Sequence, residues 1–363
     1  MTIPQGLIDP APGTGLDAIA AATNSRLVEL CGAFRGHLLN VDPNLNPLAD
    51  VTDAIIAAGG KRIRPAFVWW GHRATQIEPN DAVLTIAAAV ELLHTFALIH
   101  DDIMDRASTR RGAVTSHVAM TSFHDDQALI GDRQWFGISS GIIAGDLVSV
   151  WADQAFWQAG LSPEVLMDAV EVYNTMRAEV MAGQWLDVRL AALPQASVAE
   201  SEHVALLKSG RYSITRPLEL GVALAGECDP SLLRALRTYG DSVGVAFQMR
   251  DDVLGMFGNQ TETGKSVGGD IREGKRTVLI LTALERATPT QRAILNQCLG
   301  NAHVDADQLE QVREIVRETG AADYVEARIT DQYEIAQAAI EPVGNPAKRV
   351  LLELADLAVH RSR

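Results

Sequence analysis

Three aspartates end an apolar segment in the stretch ELLHTFALIHDDIMDRASTRRG, residues 91–112. Helical spacing places Asp101 and Asp105 one turn apart on the same face, so their carboxylates repel each other unless a cation lies between them. Hard oxygen ligands suit Mg2+, which keeps several waters and is commonly shared with substrate phosphates. The following arginines, among them Arg110 and Arg111, favour an anionic phosphate ligand. The alternative is a solvated acidic helix end.

A second acidic pair follows the same order. The stretch GDSVGVAFQMRDDVLGMF, residues 240–257, is an apolar helical segment that carries Gln248 and ends in Asp251 and Asp252. Lysines and arginines among glycines come next, in GNQTETGKSVGGDIREGKRTVL. If the two helices pack side by side, we expect both acidic ends to face one cavity that is apolar inside and binds phosphate at its mouth.

Two nearby patterns are weaker indicators of function. Residues 269–275 spell G-x-x-x-x-G-K, but Arg276 follows where Ser or Thr is required and no strand precedes, which excludes a nucleoside-triphosphate P-loop. A mobile, lysine-bearing lid over a phosphate site remains the expectation for this segment. The pair Asp125 and Asp126 lies in a polar stretch without an apolar helix before it, and we assign it no function.

Basic residues also interrupt two other helical segments. GGKRIRP, residues 59–65, gathers three cations around two glycines. Such a segment either ends a helix with favourable charges or clamps a diphosphate that the glycines allow to approach. Lys208 and Ser209 end another apolar helix. A lysine there usually extends into solvent, but beside a carboxylate–metal site it could neutralise a leaving diphosphate.

Composition limits the class of protein. The 363 residues, 47% of them hydrophobic and 5% aromatic, supply a large core of the kind that helices build. A formal net charge of -15 argues against nucleic acid as a partner. The three cysteines, Cys31, Cys228 and Cys298, are too few and too far apart for a disulfide framework, so a reducing cytoplasm is the expected location.

Helical patterns must position the candidate residues. They cover nearly all of the chain after a flexible leader at residues 1–15, so we expect one all-helical domain over residues 16–363. Within residues 197–225 the pattern predicts breaks at Gly210 and Pro217. Asp146, in the segment 137–157, is expected to be buried and paired, more often in a structural role. The apolar runs carry charged or polar residues, so we expect no transmembrane segment.

The four motifs, in this order, resemble the trans-isoprenyl diphosphate synthase family, the polyprenyl synthetases, over residues 50–285. The pattern is also similar to actinobacterial short-chain geranylgeranyl diphosphate synthases. The resemblance implies an all-α fold, a single large helical bundle with a central active-site cavity, usually as a homodimer. It implies an enzyme that condenses isopentenyl diphosphate with an allylic diphosphate, such as dimethylallyl, geranyl or farnesyl diphosphate, with three Mg2+ ions in each site.

The resemblance assigns a role to each motif. The residues expected to hold isopentenyl diphosphate are Lys61, Arg64, His94 and Arg111. The expected magnesium-binding carboxylates are Asp101 and Asp105 for two ions and Asp251 for a third, with Asp102 and Asp252 beside them. The residues expected at the allylic diphosphate are Arg110, Lys208, Ser209, Gln248 and Lys265, with Lys275 closing over it. Among these, Asp101, Asp105, Lys208, Ser209, Gln248 and Asp251 are the candidate catalytic residues.

Two positions depart from the family pattern. Ser209 stands where Thr is usual, which keeps the hydroxyl. Gly255 replaces the final Asp of the second acidic motif, which leaves five of the six motif aspartates. We expect activity to survive with weaker metal binding.

Product length depends on residues just before the first aspartates. Phe96 and Ala97 occupy the positions that resemble the chain-length determinants of the family, and one bulky residue without an insertion implies the C20 product, geranylgeranyl diphosphate. C15 farnesyl diphosphate is the alternative, as is a Phe96 that only fills the core. A terpene cyclase or a non-catalytic subunit of a heteromeric prenyltransferase would also use such helices. A second basic clamp argues against the cyclase, and the retained aspartates argue against the non-catalytic subunit.

Overall fold

Helices account for nearly all of the regular structure in the computed structural model, which describes residues 15–226, 229–258 and 268–360. The expected all-α class is confirmed. Two compact units divide the chain: Met1–His72 with Ile77–Pro163, and Arg73–Gln76 with Glu164–Arg363. The single helical domain over residues 16–363 stays a prediction. Most of the expected leader, together with Cys228 and Lys265, lies outside the described residues.

Among its described residues, the first unit holds six α-helices and a short hairpin. The last two residues of the third helix belong to the second unit. In chain order its elements are α1 Leu16–Val41, a 3-10 turn Pro43–Leu45, α2 Asn46–Ala57, α3 Ile63–Ala74, α4 Asp81–Met104, β1 Thr109–Arg110, β2 Ala113–Val114, α5 Ser116–Asp126 and α6 Arg133–Trp157. Asn80 caps α4 and Asp132 caps α6, each side chain accepting hydrogen bonds from two backbone N–H groups of the first turn. Both helices therefore begin where the apolar pattern begins.

α4 is the central helix of this unit. Its side chains from Val83 to Leu93 are buried all round, and it packs against α6 and α1. Its buried Glu91 is compensated by Arg62, whose Nη1 donates to Glu91 Oε1 at 2.5 Å. Arg62 also donates to Asn24 and to the carbonyl of Ile56. The basic segment before α3 is thereby fixed to α4, which carries the first aspartates.

Within the described part of this unit, two helices, α4 and α6, are long and apolar enough to cross a membrane by length and composition alone. The most apolar window of α4 is 72% buried inside the protein, as in a core helix, and that of α6 is 39% buried. A core helix meets the same test of length and composition, so these two helices do not contradict the expectation of no transmembrane segment. Glu91 does not shorten α4, because its charge is neutralised by Arg62 inside the unit.

Asp146 corrects another expectation. Its side chain is 66% exposed rather than buried, and its nearest charged neighbour is His100, with His100 Nε2 3.6 Å from Asp146 Oδ1. Asp146 lies on a face of α6 whose apolar side chains are also exposed, including Ile142, Ile143 and Val150. The sequence around Asp146 resembled that of a buried helix because its side chains are mostly apolar. In the structure, no other part of the described chain covers this face of α6.

The second unit is built around one long helix, α10. Pro163, the first residue of its first helix, belongs to the first unit. Its elements are α7 Pro163–Ala192, α8 Val198–Val204, a π-helical segment Ala205–Thr215, α9 Arg216–Ala223, α10 Pro230–Phe257, α11 Gly269–Glu273, α12 Val278–Arg286, α13 Pro289–Cys298, α14 Ala306–Glu318, α15 Ala321–Ala339 and α16 Ala347–Val359. α10 packs mainly against the π-helical segment on one side and α15 on another. A core of buried apolar residues from α10, α12, α14 and α15 holds its C-terminal half.

The breaks expected at Gly210 and Pro217 do not occur. The chain is helical from Val198 to Ala223, with wider π turns over Ala205–Thr215. A Cβ on Gly244 of α10 would lie 2.2 Å from the Cα of Gly210, so the two glycines let the backbones touch. Pro217 stands in the first turn of α9, where its ring is tolerated. Gly210 and Gly244 thus mark a close approach between helices. The π turns at the same place are of a kind common at functional sites.

Candidate active site

The first acidic end is the C-terminal turn of α4. Asp101 and Asp105 are half-buried, whereas the side chain of Asp102 is only 7% exposed. This agrees with the helical spacing, which put Asp101 and Asp105 on one face and Asp102 on another. The helix ends here because the chain turns sharply at Arg106, whose φ is 54°.

The hairpin after α4 turns Arg110 back onto these carboxylates. β1 and β2 are joined by Arg111 and Gly112, both at positive φ (54° and 78°), as a tight two-residue hairpin turn requires. Arg110 Nε donates to Asp102 Oδ1 at 2.6 Å, and Arg110 Nη2 donates to Asp101 Oδ2 at 3.1 Å. The sequence predicted only a basic loop. The hairpin explains how a cation reaches the aspartates.

Asp102 titrates abnormally. Burial raises its pKa to about 6, although the Arg110 guanidinium acts in the opposite direction; the charges of Asp101 and Asp105 raise it further. The ionised carboxylate therefore lacks sufficient compensation even with Arg110 beside it. A divalent cation would supply positive charge that this helix end needs.

A basic cluster forms in the same unit, where the segment before α3 meets the hairpin. A Cβ on Gly60 would lie 2.7 Å from Nη1 of Arg111, so the glycine makes room for that guanidinium. Burial, Arg64, Arg111 and Arg110 together hold the pKa of His94 well below its usual 6.5, so its ring is neutral at pH 7. Lys61 is exposed beside this cluster. The structure thus brings together Arg64, His94 and Arg111, three of the four residues assigned to isopentenyl diphosphate.

Cations gathered this closely favour an anionic ligand. Burial lowers the pKa of Arg111, Glu91 opposes that effect, and the nearby charges of Arg110, Arg62 and Arg64 lower it further. The sequence motif alone left open an ordinary helix stop. Because Arg111 comes from the hairpin and Arg64 from α3, the cluster is a tertiary feature, and the explanation as a helix stop does not account for it.

The residues assigned to product length lie between one and one and a half turns before Asp101. Phe96 and Ala97 are half-buried, so Phe96 is not a fully enclosed core residue. The ring of His100 lies edge-on to Phe96, with ring centres 4.8 Å apart. His100 Nε2 donates to the Ile142 carbonyl at 3.1 Å, and Gly145 leaves space for the imidazole. α6 therefore holds His100, and His100 supports Phe96.

The second acidic end is the C-terminal turn of α10. Ser209 Oγ donates to Gln248 Oε1 at 2.5 Å, and Gln248 Nε2 donates to Asp252 Oδ1 at 2.8 Å. Asp252 is buried, and Asp251 is half-buried. The contact between Gly210 and Gly244 brings the π-helical segment close enough for this chain of hydrogen bonds. The three residues were expected in one site, and the structure joins them.

Lys208 does not extend into solvent. Its Nζ donates to Asp187 Oδ2 of α7 at 2.6 Å, and both side chains are about one-fifth exposed, at 23% and 21%. α7 comes this close because a Cβ on Gly183 would lie 2.6 Å from the Lys208 backbone nitrogen. Sequence analysis missed Asp187. A glycine inside a helical pattern, as at Gly183, was the available signal of close packing.

Lys275 follows α11, the short helix after the second acidic motif. Its Nζ lies 2.7 Å from Glu273 Oε2 and 3.8 Å from Asp270 Oδ1. Part of the expected lid is thus helical, and Lys265 lies outside the described residues.

Arg250, beside Asp251, forms two hydrogen bonds to Glu326 of α15 and one to the Val359 carbonyl. These contacts anchor the end of α10 within its unit.

Both helix ends suit magnesium by their donors. Both ends offer carboxylate oxygens. At the first end the carboxylates of Asp101 and Asp102 already attract one cationic group, the guanidinium of Arg110. No cage of three or more metal-binding side chains exists among the described residues. Carboxylate oxygens beside phosphate-binding cations suit an ion that is shared with a phosphate ligand. That both ends face one cavity stays a prediction, because they belong to different units.

Comparison with known proteins identifies the family of this chain. A family model for polyprenyl synthetase matches residues 46–316. A geranylgeranyl diphosphate synthase of Saccharolobus solfataricus is 31% identical and covers 89% of this chain and 93% of its own. A geranylfarnesyl diphosphate synthase of Aeropyrum pernix is 32% identical, over 85% of this chain and 92% of its own.

A solved structure is also similar over nearly the whole chain. It is the geranylgeranyl pyrophosphate synthase from Corynebacterium glutamicum complexed with isoprenyl diphosphate and magnesium, with a TM-score of 0.92 and 36% identity. The match covers 95% of this chain and 99% of that one. Similarity of this extent concerns the helical architecture as a whole, including both acidic helices.

Proposed function

Because the chain belongs to the polyprenyl synthetase family, we propose that it is a prenyltransferase that condenses isopentenyl diphosphate with allylic diphosphates to give geranylgeranyl diphosphate. The observation that supports this most directly comes from the first unit. There, a carboxylate cluster at Asp101 and a separate basic cluster at Arg111 occur side by side. One suits a metal-bound diphosphate and the other a second diphosphate held by cations. A terpene cyclase takes only one.

The reaction begins with departure of the allylic diphosphate. Magnesium, when bound by Asp101, Asp105 and Asp251, supplies the positive charge that stabilises this leaving group. We propose that Arg110 and Lys208 bind the same diphosphate after giving up their present partners, Asp101 and Asp102 for Arg110 and Asp187 for Lys208. Lys265 and Lys275 complete this role. Their positive charge is needed only when the diphosphate separates.

The allylic cation then meets the double bond of isopentenyl diphosphate. Lys61, Arg64, His94 and Arg111 hold that second diphosphate, with His94 acting as a neutral hydrogen-bond donor. The Ser209 and Gln248 oxygens are suited to stabilise the positive charge on carbon, because Gln248 is oriented by its bonds to Ser209 and Asp252. The carbon–carbon bond forms and a proton leaves, accepted by the departed diphosphate. No protein nucleophile takes part.

We propose that Phe96 limits the product to C20. Names of relatives at similar identity include both geranylgeranyl and geranylfarnesyl diphosphate synthases, so overall identity does not choose the length. The local support is that His100 holds the Phe96 ring from the side of α6. Phe96→Ala should lengthen the products by at least one C5 unit while turnover stays within about tenfold, since no diphosphate contact is lost. An unchanged product distribution by mass spectrometry would exclude Phe96 as the limit.

We also propose that the protein acts as a homodimer in a reducing cytoplasm. An exposed apolar face on α6, with Ile142, Ile143 and Val150, supports the dimer, because large uncovered apolar faces mark interfaces. The buried free thiols of Cys31 and Cys298 fit a reducing compartment. Ile143→Glu should convert the protein to monomers in light-scattering measurements. A dimer that persists in this variant would place the interface elsewhere.

The direct test of the activity uses the purified chain with Mg2+, isopentenyl diphosphate and each allylic primer in turn. We expect geranylgeranyl diphosphate as the longest main product by mass spectrometry. Absence of any product with all primers would overturn the proposal. A hydrocarbon or alcohol from farnesyl diphosphate alone would indicate a cyclase instead.

A further inference from the structure

One face of α7 contacts the π-helical segment that carries Lys208 and Ser209. Glu179, Gly183 and Asp187 are spaced four residues apart in α7, so they lie along the same face of that helix. Asp187 accepts a hydrogen bond from the Lys208 ammonium, and Gly183 lets the Lys208 backbone approach. Both contacts hold the N-terminal half of the segment. Glu179 lies about two turns before Asp187 on this face.

α10 presents the same order of residues to the segment. Asp241, Gly244 and Gln248 are three and four residues apart on one face of α10. Gln248 accepts the hydrogen bond from Ser209, and Gly244 lets the backbones touch at Gly210. Each of the two helices therefore carries a carboxylate, then a glycine, then the partner of a candidate catalytic residue.

Arg211 joins the carboxylates of the two helices. Its Nη1 donates to Glu179 Oε1 at 3.1 Å, and its Nη2 donates to Asp241 Oδ2 at 3.2 Å. Arg216, the first residue after the segment, donates from Nε and from Nη2 to Glu179, at 2.7 Å in each case. Thr215 Oγ1 donates to Asp241 Oδ1 at 2.7 Å. The C-terminal end of the segment is thus bonded to both α7 and α10.

The charges of these residues support the geometry. Burial disfavours the ionised form of Glu179, but the hydrogen bonds and charge of Arg216 and the charge of Arg211 outweigh burial. The pKa of Glu179 therefore lies below its usual 4.5, and the carboxylate is ionised at pH 7. Because Arg216 binds both carboxylate oxygens of Glu179, the pair also has a fixed orientation.

The wide turns of this segment need support from outside. A π turn joins residues five apart rather than four, and π turns usually occur singly, whereas this segment has 11 residues. Relaxation to ordinary α turns would rotate the residues before Arg211 about the helix axis relative to those after it. The bonds made by Arg211 and Thr215 hold the later residues in place. They therefore fix the direction in which Lys208 and Ser209 point.

We propose that Glu179 and Asp241 are positioning residues, which act through Arg211 to maintain the π turns and with them the orientation of Lys208 and Ser209. The inference rests on the proposed function, because it gives both carboxylates a part in the step assigned to those two residues. Lys208 and Ser209 act on charge that develops in the transition state. Loss of their orientation should therefore lower kcat and leave KM unchanged.

The test compares Asp241→Asn with Glu202→Gln as a matched control. The Glu202–Arg328 ion pair lies in the same unit, with an N–O distance of 3.3 Å and side chains 28% and 30% exposed. The Asp241–Arg211 pair has a distance of 3.2 Å and side chains 32% and 31% exposed. Asp241→Asn should lower kcat ~10-fold with the KM of both substrates within about twofold, since a displacement of about 1 Å can cost up to ~100-fold. Glu202→Gln should lower the melting temperature by a similar amount but leave kcat within about twofold of wild type.

Amide hydrogen exchange over residues 208–215 tests the same claim without turnover. Exchange in this segment should be ~10-fold faster than in wild type in Asp241→Asn and in Glu179→Gln, because each variant releases one side of the segment. It should be unchanged in Glu202→Gln. Thr215→Val removes a single bond to Asp241 and should accelerate exchange by about threefold, which gives a milder variant of the same contact.

Unchanged exchange or unchanged kcat in Asp241→Asn would overturn the inference. A rise in KM without a fall in kcat would also overturn it, as would an equal loss of kcat in Glu202→Gln. If wild type forms no prenyl product, the proposed function fails, and the exchange measurement still decides whether the two carboxylates hold the segment.

Discussion

The two acidic helix ends have similar sequences but compensate their buried aspartate differently. At the end of α4, buried Asp102 receives a charged hydrogen bond from Arg110. At the end of α10, buried Asp252 receives a neutral amide from Gln248, which is itself held by Ser209. The first end is thus already partly neutralised by a cation, whereas the second orients a polar group. This difference predicts that magnesium must displace Arg110 at the first end, whereas at the second end Asp252 keeps Gln248 oriented.

The largest expected effect comes from removing the outer carboxylates of the first end. Asp101→Ala or Asp105→Ala should lower turnover by ~10³-fold, because stabilisation of the leaving diphosphate by metal is lost. The melting temperature should change little, since one of two repelling charges is removed. Asp125→Ala, which removes an exposed carboxylate paired with Arg133, is the matched control and should leave turnover unchanged. Near-normal activity in both Asp101 and Asp105 variants would refute their role.

The comparison itself is tested by neutralising the two buried aspartates. Asp102→Asn takes the charged partner from Arg110, whereas Asp252→Asn keeps an acceptor for the Gln248 amide. Because both partners carry charge in the Arg110–Asp102 hydrogen bond, whereas only the acceptor does in the Gln248–Asp252 bond, turnover should fall about tenfold further in Asp102→Asn than in Asp252→Asn. Steady-state kinetics at saturating Mg2+ measures this. Equal losses in the two variants would mean that the two ends do not differ in this way.

The smallest effect concerns pH. The pKa of Asp102 is raised to about 6 in the folded protein from an ordinary value of 3.8. Between these values the folded state binds the proton that the unfolded state has released, so the contribution of this group to stability falls as pH rises from about 4 to about 6. In the absence of metal, the Asp102→Asn variant has no carboxyl group at this position and does not lose stability in this way. Its melting temperature relative to wild type should therefore be higher at pH 7 than at pH 5.

Differential scanning calorimetry at the two pH values provides this comparison. Adding saturating Mg2+ to wild type should reduce the loss of stability between pH 5 and pH 7, because the metal favours the ionised carboxylate. If the difference in melting temperature between Asp102→Asn and wild type is the same at pH 5 and pH 7, then Asp102 does not titrate in this range.

Features encoded by local spacing were predictable from the sequence. Helical periodicity located α4 and α10, and charge order located the aspartates at their ends. The motif order also grouped Lys61 and Arg64 with Arg111, which the first unit brings together around Gly60. Such features depend on residues within a few turns or on an order of motifs that recurs in the family.

The contacts that orient the site were not predictable, because they join distant residues. Asp187 meets Lys208 across 21 positions, and Asp270 lies against Gly255 from outside α10. The exposure of Asp146 depends on what covers α6, which no local pattern records. Gly210 was interpreted as a break in a helix, whereas Gly183 and Gly210 both permit a neighbouring backbone to approach closely.

The central claim is that the carboxylates of both helix ends bind one metal-bound diphosphate. Calorimetry of inorganic pyrophosphate with Mg2+ should be carried out on wild type, Asp101→Ala, Asp251→Ala and the double variant. We predict that each single substitution weakens Mg2+-dependent binding at least ~10-fold, and that the double variant loses little more, because both residues serve the same ligand. Unchanged affinity in either single variant, or losses that simply multiply in the double variant, would contradict the claim.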